Sequence, residues 1–252
     1  MKKNCLIALS IFGFGFMPQV YGQFSFGFKI SPNFSWVKVQ DGALENNGLG
    51  LGFSYGLTGD YSLSKSQNYW LSADLLISTA PVKLKHIGEL IGTNPTNSGQ
   101  DITYKEVEFD YSNQLLQIPI SVKFKTDEIG GLKYYFQAGL APSFSIQRKL
   151  KTTADPDIYS STNITSHDPN STENSRFDFD GGVSKNKDFL FLDDIYSARM
   201  SLILGAGVEY PLSGNLNLVG GLRFDNGFTD FLQDDNYSGR LNFLSLHVGL
   251  MF

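Results

Sequence analysis

The sequence predicts an all-β fold: an eight-stranded, antiparallel, up-and-down transmembrane β-barrel. Three observations carry that expectation. Apolar residues recur at every second position in eight segments, the connections between segments alternate between short and long, and bulky side chains gather on one face of each segment. Period two marks a strand, because successive side chains point to opposite faces. The composition agrees: charged residues are sparse at 18%, aromatics are frequent at 14%, and 26 glycines suit narrow, small-residue surfaces. A net charge of -5 with no basic stripe argues against a nucleic-acid partner.

Residues 1–22 have the layout of a cleavable secretory signal. Lys2 and Lys3 precede an apolar run from Cys5 to Met17, then come Pro18 and the small Gly22 before Gln23. The run is short for a bilayer span. The barrel domain is then expected over 23–252, with four long external loops. Cys5 is the single cysteine and lies in the signal, so neither a disulfide nor a thiol nucleophile is expected after cleavage. It lacks the preceding apolar residues that a lipid-modified cysteine needs. Beyond Gly22 no apolar stretch reaches the roughly 18 residues of a spanning helix.

The strands read in order. "FSFGFKI" places Phe24, Phe26, Phe28 and Ile30 on one face, resumed by Phe34 and Trp36 beyond Pro32. From Leu49 to Leu63, Leu51, Phe53, Tyr55, Leu57 and Tyr61 share a face, with Gly50, Gly52, Ser54, Gly56, Thr58 and Asp60 opposite. "YWLSADLLI" from Tyr69, "LLQIPISVKFK" from Leu115 and "YYFQAGLAPSFSI" from Tyr134 follow. "MSLILGAGVEY" from Met200, "LNLVGGLRFDNGF" from Leu216 and the closing "LNFLSLHVGLMF" complete eight. Most have about ten residues or more, enough to cross a bilayer at a tilt of about 45°.

Three connections, "SKSQN", "TDEIGG" and "SGN", are turn-sized and rich in turn residues. The other four are long: Gln40 to Gly48, Pro81 to Asp110, Arg148 to Ser197 and Thr229 to Arg240. A meander puts all the short turns at one end and all the long loops at the other, the layout of a barrel with periplasmic turns and external loops. A soluble lipocalin also has eight alternating strands, with its apolar face inward. Here the polar face is mostly Gly, Ser, Thr and Asn, which suits a narrow filled interior, and the other face is too bulky to converge inside eight strands. Aromatics on that face collect near the strand ends: Tyr61, Tyr69, Phe124, Tyr134, Tyr210 and Phe252 at the turn side, and Phe34, Trp36, Phe144 and Phe228 at the loop side. Two girdles of this kind are expected at two lipid–water interfaces, so the bulky face is expected to meet lipid.

The stretches "FGFKISPNFS", "LLQIPISVKFK", "YYFQAGLAPSFS", "LGAGVEY" and "GLRFDNGFTDF" resemble the Bacteroidetes outer-membrane β-barrel family often labelled PorT-like. The most specific is "QIPISVKF", Gln117 to Phe124, although family members more often carry Glu where Gln117 stands. The resemblance implies an eight-stranded barrel of the bacterial outer membrane. It does not imply the secretion and gliding role of the family's namesake. The terminal aromatic Phe252 resembles the C-terminal signal that barrel assembly machinery recognises. Outer-membrane lipid and that machinery are therefore the expected partners, with any protein partner meeting the external loops.

Inward-facing positions hold most of the strand charge. Lys29, Asp60, Asp74, Lys123, Glu209 and His247 fall at similar depth counted from the turn side, and Arg223 and Asp225 also face inward. A mixed-sign network plugging the periplasmic half of the lumen is expected, because unpaired buried charge is costly. Pro119 faces inward by parity and lacks one ladder hydrogen bond unless it sits at a bulge. Ser245 and His247 share a strand face, yet i and i+2 lie about 6–7 Å apart and point into the interior. His86 and His167 lie in separate long loops and make no metal spacing. The third long loop is acidic and rich in Ser, Thr and Asn. Its "DPD" and "DFDGG" do not fit the EF-hand pattern, and "NIT" and "NST" match the glycosylation triplet by coincidence in a bacterial setting. No catalytic residue, cofactor or metal is expected. The expected role is non-enzymatic: envelope structure, or recognition through the external loops. The alternatives are an accessory of an outer-membrane secretion machine, or an enzyme at the barrel rim.

Overall fold

The computed structural model describes residues 24–40, 44–87, 90–93, 101–104, 106–155, 176–177, 196–231 and 238–252. The segment read as a signal, 1–22, lies outside them. Eight ribbons run up and down. They are β1 (Phe24–Val39), β2 (Gly50–Ser62), β3 (Tyr69–His86), β4 (Glu106–Gln117 and Ile120–Lys125), β5 (Lys133–Asp155), β6 (Ala198–Ser213), β7 (Leu216–Gly227) and β8 (Gly239–Met251). Each pairs antiparallel with the next. β8 pairs with β1 from Gly27↔Met251 to Val39↔Gly239, so the sheet closes into a ring. At the seam Phe252 N donates to Phe26 O at 2.7 Å and Phe26 N donates to Phe252 O at 3.1 Å.

The turn-side connections are tight for a local reason. Gly130 and Gly131 take φ of +63° and +81° between the bridged pair Ile129 and Leu132, as a two-residue hairpin turn with positive φ at both positions requires. Gly214, at φ +60°, serves the turn between β6 and β7, where a register shift separates Pro211 from Ser213.

Burial follows the alternation. Phe24, Phe26, Phe28 and Ile30 are exposed outside the ring, while Lys29, Ser31, Asn33 and Ser35 are buried within it. The turn-side aromatics Tyr61, Tyr69, Phe124, Tyr134, Tyr210 and Phe252 all stand outside, as do Phe34, Phe144 and Phe228 at the loop side. Some pack along the girdle: the Tyr69 and Phe124 rings are 5.4 Å apart, and those of Phe26 and Phe252 are 5.8 Å apart. Trp36 is half-buried, stacked against Phe224 at 6.1 Å.

The loop end differs from the sequence expectation. The strands do not stop at Pro81 and restart at Asp110: β3 continues to His86 and β4 begins at Glu106, in register from Leu76↔Gln117 to His86↔Val107. β5 likewise runs past Arg148 to Asp155. His86 is therefore a buried strand residue and not a loop residue. The segment 40–48 contains a short strand, Leu44–Asn46, paired with the end of β3, and Leu90–Thr93 pairs with Asp101–Tyr104 as a separate hairpin. The physical reason is that strand pairing needs no membrane. Above the apolar band the same period continues with its sense inverted, so that Val82, Leu84, Phe109 and Tyr111 point inward and Lys83, Lys85, Glu108 and Asp110 do not. The polar face expected throughout the interior thus gives way to an apolar one at this end.

Pro119 points inward, and pairing with β3 and β5 keeps one register on both sides of it, Gln117↔Ser143 and Ile120↔Leu140. There is no bulge at this position. The Pro119 carbonyl accepts from Asp74 N at 2.9 Å, and the reciprocal bond is lost with the missing N–H. The register shift between β4 and β5 lies instead opposite Gln114 and Leu115, where Ile146 of β5 is the extra residue.

Leu204 is exposed on the outer face while Ser201, three residues earlier, is fully enclosed with its hydroxyl 3.3 Å from the Ala141 carbonyl. Leu204→Arg should cost about 2–4 kcal/mol if it sits near the bilayer midplane. Ser201→Ala should cost no more than about 1 kcal/mol. Denaturant unfolding from lipid vesicles measures both, and equal, small losses would reverse the assigned facing.

Candidate functional site

Among the described residues, the lumen gathers titratable side chains from many strands, and it is filled in layers. In the turn-side half, β2, β4 and β6 contribute the first tier. Asp60 receives Lys123 Nζ at 2.7 Å, Lys125 Nζ at 3.1 Å and the Ser72 hydroxyl at 2.7 Å. Lys125 also reaches Glu209 at 2.8 Å, and its ammonium stands 4.2 Å over the Trp70 ring. In the second tier Asp74, on β3, holds Lys29 of β1 at 2.8 Å and Arg223 of β7 at 3.3 Å. Arg223 Nε donates in turn to Asp225 at 2.9 Å. Four cations face four carboxylates, all buried. Their signs balance, as a low-dielectric interior requires.

A tyrosine lies beside these tiers. Tyr135 of β5, Gly207 of β6, Gly221 of β7 and His247 of β8 occupy one rung, each the register partner of the next. The phenol crosses both glycines and meets His247 Nε2 at 2.5 Å. A Cβ on Gly207 or on Gly221 would come within 2.4 Å of the Tyr135 oxygen, so both positions must lack a side chain for the ring to lie there. Lys123 Nζ stands 5.1 Å over the same ring. The space left between Lys29, Thr58, Lys123, Tyr135, Gln137 and His247 is about 10 Å³, room for about one water. On the turn side the ring opens into a vestibule of about 610 Å³, with Trp70, Lys125 and Glu209 among its lining residues.

Above the charges runs a belt of neutral bonds, with Asn33 to Ser54 and Ser78 to Gln117 both at 2.8 Å. Higher still the interior is apolar. Val37, Leu44, Val82, Leu84, Phe109, Tyr111, Leu241 and Phe243 are all buried there. Phe231, from the connection between β7 and β8, closes over them with its ring edge-on to Tyr111 at 5.9 Å, and its backbone bonds Tyr196 and Gly239. Arg199 is buried in this layer; its guanidinium lies 4.8 Å over Phe243 and donates to the Leu241 carbonyl at 2.8 Å.

Of the six residues singled out from the sequence, Lys29 meets Asp74 and Lys123 meets Asp60. Glu209 joins through Lys125, and His247 meets Tyr135. One level counted from the strand ends becomes two tiers, because strand stagger offsets equal counts. Lys125 and Tyr135 are not among those six. Lys125 shares the face of Lys123 two residues on, and that parity is a usable signal. Tyr135 carries none, since its place depends on glycines in two other strands. Ser245 is enclosed like His247, and the histidine nitrogen is taken by a phenol. Among the described residues no group of three or more His, Cys, Asp or Glu side chains could hold a metal ion. His167, "DFDGG" and both glycosylation-like triplets lie outside the described residues, as does "DPD" apart from Asp155 at the end of β5.

The chain is similar to three solved bacterial barrels. Neisserial surface protein A is 13% identical, with 90% of this chain and 95% of that one covered and a TM-score of 0.43. OprG from Pseudomonas aeruginosa is 10% identical, with 92% and 96% covered and a TM-score of 0.41. The Escherichia coli outer membrane protease OmpT is 6% identical, with 94% and 99% covered and a TM-score of 0.39. No curated protein sequence matches. The model of the outer membrane protein beta-barrel domain matches residues 17–233, most of the chain. With its closed antiparallel ring and apolar outer face, the chain belongs to that family of bacterial outer-membrane barrels.

Proposed function

We propose that the protein is a closed, non-enzymatic outer-membrane barrel that serves the envelope as a rigid mount for its extracellular loops, either structurally or in recognition. The observation that carries this reading is a lumen filled at two levels, ion pairs toward the turns and apolar side chains toward the loops. Eight strands leave an interior only as wide as the side chains that fill it. Strands that run on beyond the apolar band lift the loops away from the lipid surface, where a partner can reach them. Export through a cleaved 1–22 signal, and insertion by assembly machinery that reads the C-terminal strand and Phe252, belong to the same proposal.

A PorT-like placement within the family is supported by "QIPISVKF" and the other quoted stretches, and it favours a second reading, an accessory of a secretion machine. Co-purification from native membranes separates the two: a stable complex with secretion components supports the accessory, and a free barrel supports the mount. A rim enzyme would need a nucleophile, base and acid together near the loop ends. Ser245 and His247 do not supply them, being enclosed within the barrel.

Planar-bilayer recording of the refolded protein should show no stable conductance steps, and sizeable steady openings would overturn the closed lumen. The ion tiers make a second prediction. Asp60→Asn leaves Lys123 and Lys125 facing a neutral partner in a buried site, and should destabilise the barrel by about 3–5 kcal/mol. Adding Lys123→Met should recover a large part of that loss. Unfolding midpoints of the single and double variants test the coupling, and simple additivity would mean that the charges do not act as a unit.

A further inference from the structure

The outer surface carries one charge arrangement that the filled lumen does not explain. Around β3 at the loop-side rim, cross-strand charges alternate in sign: Lys85 stands opposite Glu45 on one side and Glu108 on the other, and Lys83 stands opposite Asp110. Like signs face each other in the acidic pair Glu106 and Asp155 of β4 and β5, and in one cationic pair at the β1–β8 seam. Lys38 and Arg240 are direct register partners, and both follow the outward parity of Trp36. Like charges directly opposite repel. Among the described residues neither has an ion-pair partner, and Arg240 Nε is buried without a hydrogen bond.

Their height on the barrel says what could lie between them. Trp36 and Phe224 stack on the outer face as part of the loop-side girdle, with Asn242, the register partner of Trp36, buried there and its side chain bonding Gly227 N at 3.1 Å. Lys38 is two residues further along β1, a step of about 6–7 Å, where outward apolar residues give way to charged ones. Aromatic girdles sit at headgroup level, so a cation pair one step beyond them stands among lipid headgroups. We propose that Lys38 and Arg240 form a clamp for the phosphate of an anionic lipid in the loop-side leaflet, with Trp36 as its apolar floor. The phosphate removes the repulsion at the seam and places a lipid against the joint that closes the ring. This assignment rests on the outer-membrane placement of the barrel and is independent of whether the lumen conducts.

The test uses the refolded protein in phosphatidylcholine vesicles containing chain-brominated phosphatidylglycerol, with quenching of Trp36 emission as the readout. Trp70, enclosed in the lumen, supplies a background that lipid bromine does not reach. Phosphatidylglycerol should be enriched at Trp36 over its bulk fraction, by roughly fivefold for each cation engaged. Lys38→Gln with Arg240→Gln should bring the enrichment to parity. Lys83→Gln, at a position whose register partner is an acid, should leave it unchanged. If the double variant does not refold, Lys38→Gln alone, at an exposed position, must remove the larger part. No enrichment in the unaltered protein, or enrichment that survives these changes, overturns the clamp. Release of the lipid by inorganic phosphate would identify a free-anion site and would also overturn it.

Discussion

Every backbone N–H and C=O in hydrocarbon must find a partner within the protein, and a closed ring of strands meets that demand with no free edge. The rest of this structure follows from closure. Eight strands enclose a space just wide enough for side chains to fill and too wide to leave empty. The side chains sent inward must therefore pack, and any that carry charge must find the opposite sign within the same layer. Asp60 and Asp74 each serve two cations for this reason, and Arg223 is shared between Asp74 and Asp225. The glycines at 207 and 221 belong to the same economy of space, since they let one large ring lie flat across two strands.

How the molecule meets its two environments is visible in adjacent residues. Leu75 and Leu76, and Phe243 and Leu244, are neighbouring apolar pairs of which one member is exposed and the other buried. Below such a pair, apolar side chains point outward toward lipid. Above it they point inward, because the strand has entered water and the usual sense of a soluble sheet returns. A period-two pattern cannot show this by itself, since both senses have the same period. On β3 and β8 a doubled apolar residue marks the change.

That explains what the sequence made legible and what it hid. The barrel strands were readable wherever apolar residues faced lipid, and the tight turns were readable from Gly, Asn, Asp and Ser. The upper parts of β3 and β4 read as loop because "VKLKH" and "EVEFDY" alternate in the opposite sense. Inward charges were identifiable by parity, but their partners were not, because depth along a strand omits the stagger between strands. Lys29 meets Asp74 across the interior and not through any adjacent register. Tyr135 was unreadable for a deeper reason: its bed is built by absent side chains in two other strands.

The seam has a consequence for how such a chain acquires its shape. Its register joins residue 26 to residue 252, near the two limits of the barrel domain, while every other ribbon pairs with its immediate successor. Seven hairpins can therefore zip locally, but the eighth joint awaits the last strand to be synthesised. Until then β1 presents an unpaired border to whatever surrounds it. Contacts of such large sequence separation form slowly, so the interval before closure is the period when the nascent sheet most needs a chaperoning edge.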